Sequence, residues 1–319
     1  MYKHFCAIVM IATVVLLAPL SSADTVPNTY MYGADGGTEF NGALYLFFTQ
    51  YTQFNDTFTT YYSYTYGSTW SPRVSVPIPT NPVSYARVDS LTPVTFNGRL
   101  YIFWYGATSD ASAIKYMSMD AFGNWSAVAT IPNAFADGGV GAAVFNGRLY
   151  AMWRATGGNT SLFYNSMSTA GTWNSNARLS TGESAYSPAA AVIRMADGVQ
   201  YLYAFWMDRN FGAQPMWYAR MAPGAGWSTT TKIATADYPL TSRGPSVSSS
   251  GSRIDLVYKG GYDDTLYLKK FSDTASWLPE LETGYTESHA PVSVWYNGAT
   301  WIFHDLDYPN YEIYYSLHY

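Results

Sequence analysis

Short runs of alternating apolar and polar residues recur along the chain in pairs, and a glycine turn separates the two runs of each pair. The clearest pairs are Phe96 to Trp104, around Asn97-Gly98, and Phe145 to Trp153, around Asn146-Gly147. Asn-Gly between two such runs predicts a β-hairpin with a type I′ turn, because both turn residues need positive φ. Related turns recur every 47 to 56 residues, with glycines at positions 42, 98, 147, 198, 251 and 298. The pattern therefore predicts six repeats of roughly 50 residues.

The second half of each repeat has its own landmark. A short third strand is predicted to begin at Tyr61, Tyr116, Tyr164, Tyr218, Leu268 and Tyr314. Nine residues after the first five of these comes a tryptophan, and a fourth extended run follows it: Trp70, Trp125, Trp173, Trp227 and Trp277. Four antiparallel strands per repeat predict an all-β fold, a six-bladed β-propeller. No 3.6-residue periodicity is present, which excludes a helical repeat.

The two termini complete this prediction. Residues 1–23 have the form of a signal peptide, with Lys3, an apolar run from Cys6 to Leu20 and small residues before Asp24. We therefore expect a secreted protein, extracellular or periplasmic, whose residues 24–319 form one propeller domain. The sixth repeat reaches Tyr319 after its third strand, so the N-terminal segment 24–31 is predicted to close the last blade with its missing outer strand.

Composition supports this fold and limits the partners. Charged residues make up only 12% of the chain and aromatic residues 18%, which favours strands. Removal of Lys3 leaves 16 of the 17 basic residues against 22 acidic ones, a net charge of −6. Nucleic acid and membrane insertion are therefore not expected. Cys6, the only cysteine, leaves with the signal, so no disulfide is expected.

Distinctive polar residues concentrate in the loops that follow each second strand and in those that link the repeats. Both sets of loops emerge on one face of a propeller, which we call the long-loop face, and such loops commonly carry function. The candidate catalytic residues there are Arg87, Asp89, Arg154, Arg209, Arg243 and His289. The four arginines could bind a carboxylate together. The alternative is ordinary ion pairing with Asp89, Asp208 or Asp237.

The second strand of each repeat ends in a ring-bearing side chain, and we call these residues together the aromatic ladder. It consists of Phe48, Trp104, Trp153, Trp206, Tyr258 and, in the last repeat, His304. One interpretation is that these side chains pack between blades. The other is that Trp104, Trp153, Trp206 and Tyr258 stack on sugar rings while Arg154, Arg209, Arg243 and His289 bind the hydroxyls.

Signatures of other chemistry are weak. The chain has neither a G-x-S-x-G nucleophile motif nor an H-E-x-x-H metal motif, and no cofactor is expected. Asp263-Asp264 and Asp305 with Asp307 could bind calcium, although their spacing is weak evidence for it and solvated loop carboxylates are the favoured interpretation. A carboxylate pair for glycoside hydrolysis depends on folding and stays open.

Two families of secreted propellers resemble this chain. Ser63 to Trp70 and Ser118 to Trp125 resemble the Asp-box S-x-D-x-G-x-x-W of sialidase-like propellers, with Thr65 replacing the Asp in the first copy and the Gly displaced in the second. The pattern of Arg253 to Tyr258, then Leu266-Tyr-Leu-Lys, then Trp277 is similar to fucose-binding propeller lectins. Both resemblances imply a propeller that handles glycans, and neither transfers a specific binding residue.

These observations lead to two functional hypotheses. The first is a secreted carbohydrate-binding protein, a propeller lectin that recognises a glycan or polysaccharide on the long-loop face. The second is a secreted carbohydrate-active enzyme, either a sialidase-like glycosidase or a lyase acting on acidic polysaccharide. Repetition favours the lectin, whereas the divergence of the long loops favours the enzyme.

Overall fold

The computed structural model describes residues 24–27, 29, 34–52, 57–79, 89–105, 112–208, 215–235, 244–261, 264–286, 290–305 and 312–319. All regular structure within these ranges is β-strand, which confirms the all-β prediction. Over the same ranges, no helix is long and apolar enough to cross a membrane.

The strands form five antiparallel sheets over the described ranges. The first sheet contains β2 (Ala34–Phe40), β3 (Ala43–Thr52), β4 (Thr57–Thr65) and β5 (Val74–Ser75). The long sheet contains β6 (Asp89–Phe96), β7 (Arg99–Tyr105), β8 (Ala113–Met119), β9 (Ala129–Phe145), β10 (Arg148–Ala155), β11 (Ser161–Met167) and β12 (Ala177–Glu183).

The other three sheets have four strands each. The third sheet contains β13 (Ala189–Arg194), β14 (Gln200–Met207), β15 (Met216–Met221) and β16 (Thr231–Ile233). The fourth sheet contains β17 (Ser246–Ser249), β18 (Arg253–Lys259), β19 (Thr265–Ser272) and β20 (Leu281–Thr286). The fifth sheet contains β21 (Val292–Tyr296), β22 (Ala299–Asp305), β23 (Ile313–His318) and β1 (Asp24–Thr25).

The predicted Asn-Gly hairpins are confirmed. Asn97 and Gly98 have φ values of 49° and 70°, and Asn146 and Gly147 have values of 48° and 69°. Positive φ at both turn positions is the requirement of a type I′ turn, and Asn and Gly meet it at the lowest steric cost. The register that follows places Phe96 opposite Arg99, as a two-residue loop demands.

The long sheet differs from the expected separate four-stranded units because β9 is shared. Its first half pairs with β8, where Phe135 lies opposite Ala113. Its second half pairs with β10, from Ala136 opposite Ala155 to Phe145 opposite Arg148. The outer strand of one repeat therefore continues without interruption into the first strand of the next.

The first strands of the hairpins, β2, β6, β9, β13, β17 and β21, are the inner strands. Each contacts the next one along the chain, and β21 contacts β2, so the sheets form a closed ring around an axis. The sheets pack face against face around this ring, and apolar clusters fill the joints between successive repeats.

The repeat tryptophans hold the outer part of these joints together. Each one forms a single backbone bridge to the third strand of its own repeat: Thr65 with Trp70, Met119 with Trp125, Met167 with Trp173, Met221 with Trp227 and Phe271 with Trp277. Each indole packs against aromatic rings of the preceding repeat. Ring centroids lie 5.7 Å apart between Trp173 and Tyr116, and 6.3 Å apart between Trp277 and Tyr218.

The Asp-box-like turns are local structural devices. The Asp120 carboxylate accepts hydrogen bonds from the backbone N–H groups of Asn124 and Phe122, each at 2.9 Å. These bonds, led by that of Asn124, lower the pKa of the exposed Asp120 carboxyl. The turn therefore fixes the backbone that leads into Trp125.

The predicted role of the N-terminal segment in closing the last sheet is confirmed for β1. Asp24 lies opposite Tyr315 and Thr25 opposite Tyr314, which makes β1 the outer neighbour of β23. The Val26 N–H donates to the Ile313 carbonyl at 2.9 Å, and the Val26 side chain is 1% exposed in the cluster that joins the fifth and first sheets. The part of the predicted segment from 30 to 31 lies outside the described residues.

This closure predicts that Val26→Ala lowers the free energy of unfolding by about 2 kcal/mol, because the truncation leaves a cavity in a filled joint. The control is Thr25→Ala, since Thr25 is exposed in the same strand. Urea unfolding of the two variants measures the difference. Equal stability of the two variants would contradict a structural role for the N-terminal strand.

Candidate functional site

A cavity of about 160 Å³ lies on the axis of the ring. Its walls are residues within β2, β6 and β9 and the first residues of β13, β17 and β21 with those just before them, namely 34–37, 91–93, 140–142, 187–190, 244–247 and 290–293. The long connections between repeats enter the inner strands at these ends. The cavity is therefore on the long-loop face, where the sequence predicts function.

Glycines allow the inner strands to approach closely enough to form this narrow cavity. A Cβ atom on Gly141 would lie 2.6 Å from the Pro188 carbonyl oxygen, closer than any real Cβ contact. Gly36 faces the Leu91 carbonyl and the Pro93 ring in the same way. Gly244 combines such an approach to Ser187 with a φ of +95°, which a residue with a Cβ rarely adopts.

Hydroxyl groups connect the walls of the cavity. Ser187 Oγ accepts the Gly139 N–H at 2.5 Å, and Ser246 Oγ accepts the Ser293 N–H at 2.8 Å. Thr92 Oγ1 donates to the Val140 carbonyl. These bonds join adjacent repeats, so the cavity wall is held from strand to strand.

Three aspartates occur where the inner strands of the first three repeats are irregular. Asp35 occupies the bulge between Ala34 and Gly36 and lines the cavity. Asp89 begins β6, where the register shifts before Thr92, and Asp137 lies in the irregular stretch after Ala136. Bulges re-aim side chains and are common beside functional sites. Asp35 is the acidic residue among the described residues that line the cavity.

Asp35 was not among the candidates from the sequence, although a signal was present. The tetrapeptide Ala-Asp-Gly-Gly occurs at 34–37 and again at 136–139, each time at the entry to an inner strand. Glycines next to an acid at the same place in two repeats indicate a bulge with a re-aimed carboxylate.

The aromatic ladder is buried. Trp104, Trp153, Trp206 and Tyr258 are 3%, 2%, 1% and 0% exposed, and each lies in the apolar cluster between its own repeat and the preceding one. This placement agrees with the packing interpretation, and the rings do not offer a face to a sugar here. Sequence reasoning could not decide the matter because both alternatives require the same residue types.

Arg154 is the one predicted arginine of the long-loop face that the structure describes. Its Nη2 pairs with Asp137 Oδ2 at 2.5 Å, its Nε donates to the Asp137 carbonyl at 2.9 Å, and its Nη1 donates to the Ala185 carbonyl. The ion-pair partner differs from the predicted Asp89, Asp208 or Asp237. Arg154 thus ties the irregular start of the inner strand to the entry of the next repeat.

The side chains of the other predicted site residues are not among those that the structure describes. Arg87, Arg209, Arg243 and His289 are outside the described residues, and only the backbone of Asp89 is described, at the start of β6. Their predicted roles stay predictions. Gly244, next to Arg243 in sequence, lines the cavity.

The structure describes two of the four aspartates that were candidate calcium ligands. Asp263 and Asp307 are outside the described residues. Asp264 pairs with Lys259 at 2.7 Å, and Asp305 is buried at the end of β22. Over the described part of the chain, no three His, Cys, Asp or Glu side chains come together in a way that could hold a metal ion.

Comparison with solved structures identifies the architecture. The chain aligns with an α-L-arabinofuranosidase of Fusarium graminearum in complex with an iminosugar inhibitor at 13% identity and a TM-score of 0.65, over 93% of this chain and 97% of that one. It aligns with an α-L-arabinanase of Penicillium chrysogenum complexed with arabinobiose at 15% identity and a TM-score of 0.60, over 92% and 97%. No protein-family model and no curated protein sequence matches the chain.

A fungal lectin provides a third comparison. The fucose-recognising lectin of Aleuria aurantia, described as a six-bladed β-propeller, aligns at 17% identity and a TM-score of 0.55, over 79% of this chain and 80% of that one. At such identities the likeness concerns the fold alone. These structures support the propeller-like architecture, and none of the three is described as a sialidase.

The close approach at Gly141 predicts that Gly141→Ala destabilises the protein by about 1–3 kcal/mol, because the methyl group must displace the backbone at Pro188. Gly226→Ala is the matched control, since nothing lies within 4 Å of its added Cβ. Thermal unfolding of both variants measures the effect. Tolerance of alanine at 141 would show that the inner strands are not packed as described.

Proposed function

We propose that the ring is a six-bladed propeller, with the long sheet counting as two blades joined through β9. The support is the split pairing of β9, whose halves belong to different hairpins. The closed contact order of the inner strands also supports this count. A further proposal is that the chain is secreted after cleavage before Asp24, which is supported by Lys3, the apolar run from Cys6 to Leu20 and the small residues that follow it.

Within this fold we propose that the protein recognises a carbohydrate in the axial cavity on the long-loop face. The observation that carries the proposal is the cavity itself, where the Asp35 carboxylate stands beside hydroxyl and carbonyl groups and beside apolar side chains such as Leu91 and Val247. Sugars present hydroxyls and C–H faces together, and sites for small ligands combine an apolar wall with a few fixed polar groups. The volume suits a single sugar residue rather than a long segment of a chain.

A glycosidase is the second candidate, and the places of two aspartates along adjacent inner strands favour it. Hydrolysis of a glycosidic bond commonly uses two carboxyl groups on opposite sides of that bond. Asp35 lies in the cavity wall, and Asp89 begins the adjacent inner strand. Two of the aligned structures are enzymes whose names refer to arabinose-containing substrates. A single cavity on the axis also fits one catalytic site better than it fits repeated lectin pockets.

A sialidase-like or lyase activity would depend on other residues. Such an enzyme needs cations to bind an acidic sugar, and Arg87, Arg209, Arg243 and His289 are the sequence candidates. These four residues lie outside the described residues. The neutral-sugar activity is therefore the enzymatic alternative with structural support.

The decisive experiment compares wild-type protein with Asp35→Asn on neutral and acidic polysaccharides and on fucosylated and arabinosylated oligosaccharides. Asparagine keeps the size and hydrogen-bonding capacity of the side chain but removes its charge. If the protein is a glycosidase, wild type releases reducing ends and the variant loses at least about 100-fold in rate while it still binds. If the protein is a lectin, both proteins bind and neither releases product.

The control variant is Glu282→Gln, which removes an exposed carboxylate from the outer strand of the fourth sheet. It should match wild type in binding and in rate. Absence of binding and of turnover on the whole panel would contradict the proposed carbohydrate function.

A further inference from the structure

One joint of the ring differs from the rest. Between most successive repeats, the apolar cluster contains ten to twelve buried residues over the described part of the chain. The cluster between the fourth and fifth sheets contains four, namely Val257, Leu266, Leu268 and Ile302. Because apolar burial stabilises by about 25 cal/mol per Å², this joint gains less from packing than the others.

At the other joints, the repeat tryptophan inserts between side chains at three positions of the preceding repeat, which we call the aromatic box. The joint between the fourth and fifth sheets differs at these positions. The register aligns three positions that form this box in every repeat. In five repeats they are Tyr45, Phe47 and Tyr62; Tyr101, Phe103 and Tyr116; Tyr150, Met152 and Tyr164; Tyr203, Phe205 and Tyr218; and Trp301, Phe303 and Tyr315. In the fourth sheet the same positions are Asp255, Val257 and Leu268. None of these three side chains is aromatic.

Polar groups replace the aromatic packing at this joint. Asp255 is 1% exposed and forms a bidentate pair with Arg253, at 2.7 Å and 2.9 Å. Thr300, from the fifth sheet, donates a hydrogen bond to Asp255 across the joint. Beside this pair lie Lys270, whose Nζ donates to the Tyr319 carbonyl at 2.7 Å, and His318, whose Nε2 lies 3.1 Å from Ser316 Oγ.

The ladder residue of the joint is also an exception. In the other repeats, the ladder residue at the end of the second strand is Phe, Trp or Tyr. In the last repeat it is His304, which is 2% exposed. Its ring lies against Tyr285 of the fourth sheet at 4.7 Å and against Tyr314 at 6.0 Å. Neither ring nitrogen has a hydrogen-bond partner among the described residues. The joint therefore buries an imidazole that has no acceptor for an added proton.

We propose that the joint between the fourth and fifth sheets is an acid-sensitive seam, at which the ring opens before any other joint when the pH falls. The proposal does not depend on the glycan function. It rests on the sparse packing of the seam, on the buried His304 and on the half-buried His318 of the same sheet.

The groups around the two histidines set the direction of the effect. His304 faces Tyr285 and Tyr314, with Asp305 next to it in β22 and His318 farther away, and burial lowers the pKa of its imidazole to about 4. His318 faces Lys270 and Asp255, and burial followed by the Lys270 charge lowers its pKa. An open seam returns both groups toward their ordinary pKa near 6.5.

The sign follows from proton binding. Between pH 6.5 and pH 4, an exposed His304 takes up a proton and a buried one does not, so acid favours the open seam. The closed seam has its full stability above about pH 7 and loses it as the pH falls through this window. For His304 alone, the equilibrium shifts toward opening by roughly 30-fold at pH 5 relative to neutral pH.

Native-state hydrogen exchange at pH 7.5 and pH 5.0, corrected for intrinsic rates, tests this proposal. Amide protection in β19, β22 and β23 should fall by roughly 30-fold or more at pH 5.0, while that in β7, β10 and β14 should change far less. Uniform loss in all sheets, or unchanged protection of the seam, would overturn the proposal.

Variants separate the histidine from a general effect of acid. His304→Phe introduces the side chain that Phe48 supplies at the equivalent ladder position, and it should remove most of the pH-dependent loss. His304→Tyr, which follows Tyr258, serves in the same way if the phenylalanine variant folds poorly. Leu281→His, at an exposed position of the fourth sheet, is the control and should behave as wild type. Equal acid sensitivity of the wild type and the His304 variants would refute the role of this residue.

Discussion

The structure depends on the insertion of a tryptophan from each repeat except the last into the aromatic box of the repeat before it. The indole is positioned by a backbone bridge within its own repeat, such as Met167 with Trp173, but its burial comes from the neighbour. A single four-stranded sheet thus cannot complete its own core. Stability accumulates between repeats and is complete only when the ring closes, which is the task of β1 and of Trp70 against the rings of the fifth sheet.

The same constraint explains where chemistry can occur. The outer joints are filled by aromatic side chains, including the ladder residues Trp104, Trp153 and Trp206, so these rings are committed to packing. The inner strands come close together near the axis, and glycines such as Gly36 and Gly141 occupy positions where a Cβ atom would collide with the neighbouring strand. An open space with polar groups in its walls lies where the inner strands begin. Bulges at this end, rather than the repeated pattern, place Asp35 in the wall.

The sequence was a good guide where local chemistry decides the structure. Asn-Gly turns require positive φ whatever surrounds them, and the hairpins were therefore predictable. The third strands were found, but each begins one to four residues before its predicted start; β4 begins at Thr57 and not at Tyr61, and β23 begins at Ile313 and not at Tyr314. Features that depend on the approach of two repeats were not predictable. These include the continuity of β9, the inward direction of the ladder and the pairing of Arg154 with Asp137.

The seam between the fourth and fifth sheets is the joint into which no repeat tryptophan inserts, and this explains its different composition. An aromatic box without an indole to fill it would leave a void or an exposed apolar surface, and either is unfavourable. The fourth sheet has neither the void nor the exposed surface, because its box is made of the smaller side chains Asp255, Val257 and Leu268. The Asp255 carboxylate instead accepts a hydrogen bond from Thr300 across the joint. Segments 244–247 and 290–293, which flank this seam, form two adjacent walls of the axial cavity. A change in the seam is therefore transmitted directly to the proposed binding site, since the two walls belong to the two sheets that separate.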